Sequence, residues 1–148
     1  MRTVDTGTTA KSVGTTLTPV LSLKLKAEYR TSVLKPLSFN VLQTSTNSTL
    51  YYAIYMFSSI TNPSWQSAQL GTDCLAEYDT SATAITDGVK IASGYLPAKA
   101  AFTITENLGS ILALSGNYDG TTDIITIAIA GVDGTVPCFV SLKYNEVY

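Results

Sequence analysis

The stretch LSLKLKAEYR, residues 21–30, places Leu21, Leu23, Leu25, Ala27 and Tyr29 on one side of an extended chain and Ser22, Lys24, Lys26, Glu28 and Arg30 on the other. Alternation with a period of two matches a strand with one face on a core and one in water, the pattern of an antiparallel sheet. Working outward, KPLSFNVLQT (35–44) alternates Leu37, Phe39 and Val41 with Ser38 and Asn40, and Pro36 suits a strand entry or edge. TLYYAIYMFSS (49–59) is apolar on both faces and rich in Tyr. One face is therefore expected on the core and the other against a neighbouring subunit or a covering loop.

Strand-like runs recur at TDCLAEYD, GVKIASGYL, AFTITE, SILALS, DIITIAIAG and PCFVSLKY, separated by turn sequences such as DG, GNYDG and VDG. About eight or nine short strands with no helical period predict an all-β fold, an antiparallel β-sandwich or jelly roll. Residues 1–16 are rich in Thr and Gly and carry no apolar period, so they are expected to form a flexible, extended N-terminal arm ordered only by a partner. Residues 17–148 are then a single sandwich domain, a size that suits one core.

Hydrophobic residues make up 45% of the chain and charged residues 14%, so solubility rests largely on Ser and Thr, a composition that favours strands and turns. A formal net charge of −2 gives no general positive field, and nucleic acid is not an expected partner. The charge is uneven, however. Six basic residues face only Asp5 and Glu28 before position 37, whereas Lys90, Lys99 and Lys143 face nine acidic residues thereafter. Such asymmetry lets a basic arm carrying Arg2 and Lys11 dock on the acidic surface of a neighbouring copy or a larger assembly, against the alternative that these are ordinary solvated charges. The opening MRTVDTGTTAKSVGTT lacks the apolar segment of a secretory leader, and the longest apolar run, IITIAIAGV (124–132), is too short to span a bilayer. No membrane insertion is expected. Cys74 and Cys138 are too far apart in sequence for a metal or redox motif and read as buried free thiols.

The chain contains no histidine, which removes histidine-dependent nucleophiles, histidine general bases and the usual zinc sites. No glycine loop for a dinucleotide or a nucleotide phosphate is present. No catalytic residue, cofactor or resident metal is expected. Carboxylate chemistry survives in CLAEYDTSATAITDGVKIASGYL (74–96), where a strand would put Glu77 and Asp79 on one face at about 7 Å, within the range of paired glycosidase carboxylates. The same geometry equally describes a solvated acidic face above a core face of Cys74, Ala76 and Tyr78. Calcium is an intermediate alternative, with oxygen ligands from Asp73, Glu77, Asp79, Asp87, Asn117, Asp119 or Asp123, although no EF-hand spacing occurs. Asn47-Ser48-Thr49 is a formal glycosylation sequon and reads more economically as a polar turn. Among the aromatics, Tyr51, Tyr55 and Phe57 are candidates for a subunit interface, while Trp65 and Tyr95 are candidates for stacking on a glycan.

The order RTSVLKPLSFNVL (30–42), SSITNPSW (58–65), AEYDTSATAITDGVKIASGYL (76–96) and GTTDIITIAIAGVDGTVPCFVSLKYNEVY (120–148) resembles β-sandwich virion accessory proteins of tailed phages, over roughly residues 29–148. The more specific pieces are EYDTSATA before a Gly turn, GTTDIITIA and CFVSLKYNE; none is a catalytic motif. The resemblance implies a head decoration or tail-fibre domain on the outer surface of the virion, commonly a homotrimer, whose partners are copies of itself and the major capsid or another virion protein. It also implies that Tyr78 is a core anchor while Glu77 and Asp79 hold the strand end and the Thr80-Ser81 turn. The leading expectation is a capsid decoration or cementing protein. The alternative is a receptor-binding or glycan-binding adhesin of a tail fibre that contacts a host-surface glycan.

Overall fold

A computed structural model describes residues 1–71, 73–98, 102–107 and 113–147. Eleven strands among them form two antiparallel sheets. In the first sheet, β1 (Arg2–Asp5) and β2 (Lys11–Val13) share one edge of β11 (Val136–Val147), followed by β4 (Val33–Gln43) and β9 (Phe102–Asn107). The second sheet runs β6 (Gln66–Ser67), β7 (Ala76–Asp79), β3 (Thr18–Leu25), β10 (Ile124–Gly131), β5 (Leu50–Thr61) and β8 (Ala84–Leu96). The sequence pattern thus gives the expected antiparallel sandwich.

The alternating Leu21, Leu23 and Leu25 of β3 and Ile125, Ile127 and Ile129 of β10 supply one wall of the core, each at most 1% exposed. Phe39, Val41, Val140, Leu142 and Tyr144 supply the other. The two walls meet where the Phe39 and Tyr52 rings lie 5.5 Å apart at 60°, a tilted geometry suited to aromatic quadrupoles. Each fully buried Leu or Ile contributes about 1.5–3 kcal/mol of transfer free energy, so these rows hold the sheets together.

Four local expectations are corrected by the structure. The strand begun in LSLKLKAEYR ends at Leu25, because Ala27–Tyr29 close a 3₁₀ turn. On its outer face Ser22 is only 1% exposed, its hydroxyl hydrogen-bonded to that of Thr126 on β10 at 2.9 Å, while Lys24 stays partly exposed. In β4 the register shifts opposite Lys143 and Tyr144, so Leu37 falls in a bulge between the inward-facing Pro36 and Phe39 and is only half-buried. Pro36 sits beside this irregularity, in a strand flanked on both sides by β11 and β9 rather than at an edge.

Residues 1–16, expected as a flexible arm, are part of the sheet. β1 pairs residues 2–5 with 144–141, and β2 pairs residues 11–13 with 138–136. Each inserts one apolar plug, Val4 at 3% and Val13 at 2% exposure. A single buried residue per strand gives no readable period, which is why the segment looks unstructured in sequence. Expected strand SILALS falls partly outside the described residues; Leu114 makes an isolated bridge to Leu34.

Candidate functional site

The antiparallel register of β5 and β8 puts Tyr51 opposite Tyr95 and Tyr55 opposite Lys90 on the outer face of the second sheet. The Tyr51 and Tyr95 rings are 5.2 Å apart at 46°, and the Lys90 ammonium lies 5.7 Å over the Tyr51 ring. The Tyr51 hydroxyl beside it, with the Tyr55 and Tyr95 phenols nearby, pushes the Lys90 ammonium above its ordinary range. Tyr95 is 64% exposed, and Val89 on the same strand is 57% exposed. Among the described residues, β8 has no strand on its other side, so thirteen residues of edge backbone adjoin this aromatic patch.

Phe57 belongs to a different part of β5. The β5–β8 register shifts between Met56 and Ser59, where Phe57 takes a left-handed φ of 54° and its side chain is 58% exposed. Trp65 is farther still from Tyr95. It directly precedes β6, with the ammonium of Lys24 from β3 4.3 Å from its ring centroid, and even β3 is three strand intervals, about 14 Å, from β8. Trp65 and Tyr95 therefore do not form one stacking platform; strand order, which periodicity does not encode, divides them.

The two basic residues assigned to shell anchoring are engaged inside the chain. Arg2 Nε is 3.4 Å from Glu146 Oε2, and a guanidinium nitrogen donates to the Asp73 carbonyl at 3.4 Å. Lys11 Nζ donates to the carbonyls of Thr80 at 2.7 Å and Pro19 at 3.2 Å. Burial lowers the Lys11 pKa, opposed by the nearby Asp79 and Cys138. Both side chains fasten the N-terminal strands to the sandwich rather than projecting from it.

Glu77 and Asp79 do share the outer face, as the period predicts, and Tyr78 packs against the core. Their environments differ. Glu77 lies 3.6 Å from Lys24 with partial exposure. Asp79 is only 2% exposed, so it is not part of a solvated acidic face. Its Oδ1 accepts from the Ser64 N–H at 2.8 Å, the Ser81 N–H at 3.0 Å and the Ser81 hydroxyl at 2.7 Å, and its Oδ2 accepts from the Ala82 N–H at 2.9 Å. Burial alone would raise the Asp79 pKa, but these donors from Ser81, Ser64 and Ala82 outweigh it and hold the carboxyl below its ordinary value. A carboxylate so held is a turn clamp and a poor proton donor.

The other carboxylates repeat this role. Asp119 Oδ1 accepts from the Thr121 N–H and hydroxyl, Asp123 Oδ2 from the Ser115 N–H and hydroxyl, and Asp87 Oδ1 from the Gly88 N–H. No three His, Cys, Asp or Glu residues gather as metal ligands among the described residues. Cys74 and Cys138 are both free and buried, and burial pushes the Cys138 thiol up to about 12. The Asn47 sequon lies in the bend before β5, where Asn47 is exposed and Ser48 is buried.

No family model, curated protein or solved structure matches this chain.

Proposed function

We propose that the chain is a structural protein of the exterior of a tailed-phage virion, a decoration or cementing subunit that associates with itself as a homotrimer and with a shell protein. The observation that carries this reading is the patch of Tyr51, Tyr55 and Tyr95 beside the edge strand β8. Tyr rings bury a large area at small entropic loss, and an unpaired edge offers backbone donors and acceptors to another chain. In a three-fold ring this surface meets a different surface on the next copy, and each copy on a particle adds its contacts to the same lattice. The β5–β8 surface carries the contact between copies in this reading, and Arg2 and Lys11, committed within the sandwich, are not the shell anchor. No catalytic step, cofactor or metal is assigned.

Native mass spectrometry of the chain and of Tyr95→Glu tests the assembly. The expected result is a trimer for the native chain and a folded monomer for the variant, with unchanged far-UV circular dichroism. A native chain that stays monomeric at tens of micromolar, or a variant that remains trimeric, refutes this use of the patch. Antibody labelling of particles of the source virus tests the location.

A further inference from the structure

A second concavity lies away from the β5–β8 tyrosines, where the β5 bulge faces the hairpin at 115–123. It is an open groove of about 460 Å³ whose lining includes Phe57, Ser59, Asn117, Thr121 and Asp123. Across Asn117 a smaller hollow of about 270 Å³ continues against Arg30 and Tyr118. The larger hollow alone is in the size range of small-ligand sites.

Two features distinguish this groove from an ordinary surface depression. Phe57 holds a left-handed φ of 54° in a bulge, a conformation that favours Gly, and it leaves its ring 58% exposed. The positive φ costs folding energy, and Phe57 carries that strain at the groove wall with its ring available to a ligand. The opposite wall is a hairpin held by its own hydrogen bonds. Asn117 N–H donates to the Thr121 carbonyl at 2.8 Å, Asp123 N–H to the Ser115 carbonyl at 2.9 Å, and Asn117 Nδ2 to Asp123 Oδ1 at 3.3 Å. Gly116 lets this hairpin sit against the preceding turn, because a Cβ there would meet the Arg30 carbonyl oxygen at 2.5 Å. The internal bonds orient the Asn117 side-chain amide and the Asp123 carboxylate, leaving Asn117 Oδ1 and the Ser59 hydroxyl without a hydrogen bond among the described residues, while the Asn117 backbone carbonyl accepts from the Gly120 N–H at 3.2 Å.

A flat ring on one wall and fixed amide, hydroxyl and carboxylate groups on the other match a ligand that is apolar on its face and hydroxylated on its rim. We infer that the groove between Phe57 and Asn117 binds a neutral pyranose of an oligosaccharide, with Phe57 stacking on the sugar face and Asn117, Asp123 and Ser59 reading its hydroxyls. The carboxylate at Asp123 disfavours an anionic sugar. Tyr118, fully exposed beside the smaller hollow, is placed to contact the next residue of a longer chain. The preformed hairpin reduces the ordering lost on binding. This inference is independent of the oligomeric reading, because the groove is built within one copy.

The test is an array of neutral hexopyranose oligosaccharides, with sialylated oligosaccharides as the acidic comparison, followed by calorimetric titration of the best neutral hit. Phe57→Gly relieves the strained backbone, so it is expected to melt at or above the native temperature while weakening binding at least tenfold. Asn117→Ala is expected to weaken binding tenfold, and Tyr118→Ala to weaken binding of a hexasaccharide but not of a disaccharide. Trp65→Ala is expected to leave binding unchanged. No binding to any neutral probe, preference for the sialylated probes, native affinity in a folded Phe57→Gly, or loss of binding in Trp65→Ala would each overturn the assignment.

Discussion

Removing the Asp79 carboxylate tests the central structural claim about the EYD segment. In Asp79→Ala four hydrogen bonds disappear, and the Ala82 N–H is left in a buried setting without its acceptor. An orphaned buried donor costs about 1–3 kcal/mol. The Ser64 and Ser81 donors are partly buried and can recruit water, adding about 0.5–1 kcal/mol each. With one orphaned Ala82 N–H and three Ser64 and Ser81 donors, the expected loss at pH 7 is about 2.5–6 kcal/mol, a large share of the stability of a domain of this size. Asp79→Asn keeps an oxygen for the Oδ1 donors but turns an NH₂ group toward the Ala82 N–H, so about 1–3 kcal/mol is expected. Urea unfolding followed by the fluorescence of Trp65, the only tryptophan and the neighbour of Ser64, measures both variants. The pH dependence has a definite sign. The folded-state pKa of Asp79 lies below the ordinary 3.8, so its ionic stabilisation is complete above 3.8 and is lost as pH falls through the lower folded value. The gap between native and Asp79→Asn proteins should therefore be constant from neutral pH to about 5 and narrow below 3.8. If Asp79 were merely a solvated charge, Asp79→Ala would stay within about 0.5 kcal/mol of native, and that result would sink the clamp.

Deleting residues 1–13 should lower stability by up to about 3–6 kcal/mol through exposure of the sites filled by Val4 and Val13, and should raise aggregation by baring the edge of β11. A urea midpoint unchanged by the deletion would show that β1 and β2 do not pair in solution. Glu77→Gln removes only a partly exposed pair with Lys24, so a loss of about 0.2–1 kcal/mol is expected, and thermal melting in high salt should shrink even that difference.

The wrong and right expectations about this chain have a common origin. Tyr78 inward with Glu77 and Asp79 outward follows from a period of two within one strand, and it is as legible in AEYD as in the fold. That Asp79 is sealed off depends on Ser64 and Ala82, brought over it from segments that sequence shows only as turns. The groove is still less legible. Phe57 and Asn117 are sixty positions apart, and the bulge at Phe57 reads in TLYYAIYMFSS as one more apolar strand position beside Tyr51 and Tyr55. The only local hint is GNYDGTTD, whose Asn, Gly and Asp residues announce a tight turn without saying what it faces.

Sequence alone determined that the chain forms antiparallel strands, that Leu21, Leu23 and Leu25 of β3 face inward, and that histidine chemistry is absent, because side-chain direction and composition are local properties. Tertiary structure decided that the first sixteen residues join the sheet, that Arg2 and Lys11 are consumed there, that Trp65 and Tyr95 stand apart, and where the bulges fall. Those outcomes depend on which strands become neighbours. Pairing is set by burying complementary faces across the whole chain, and a strand contributing a single valine reveals its place only when its partner is present.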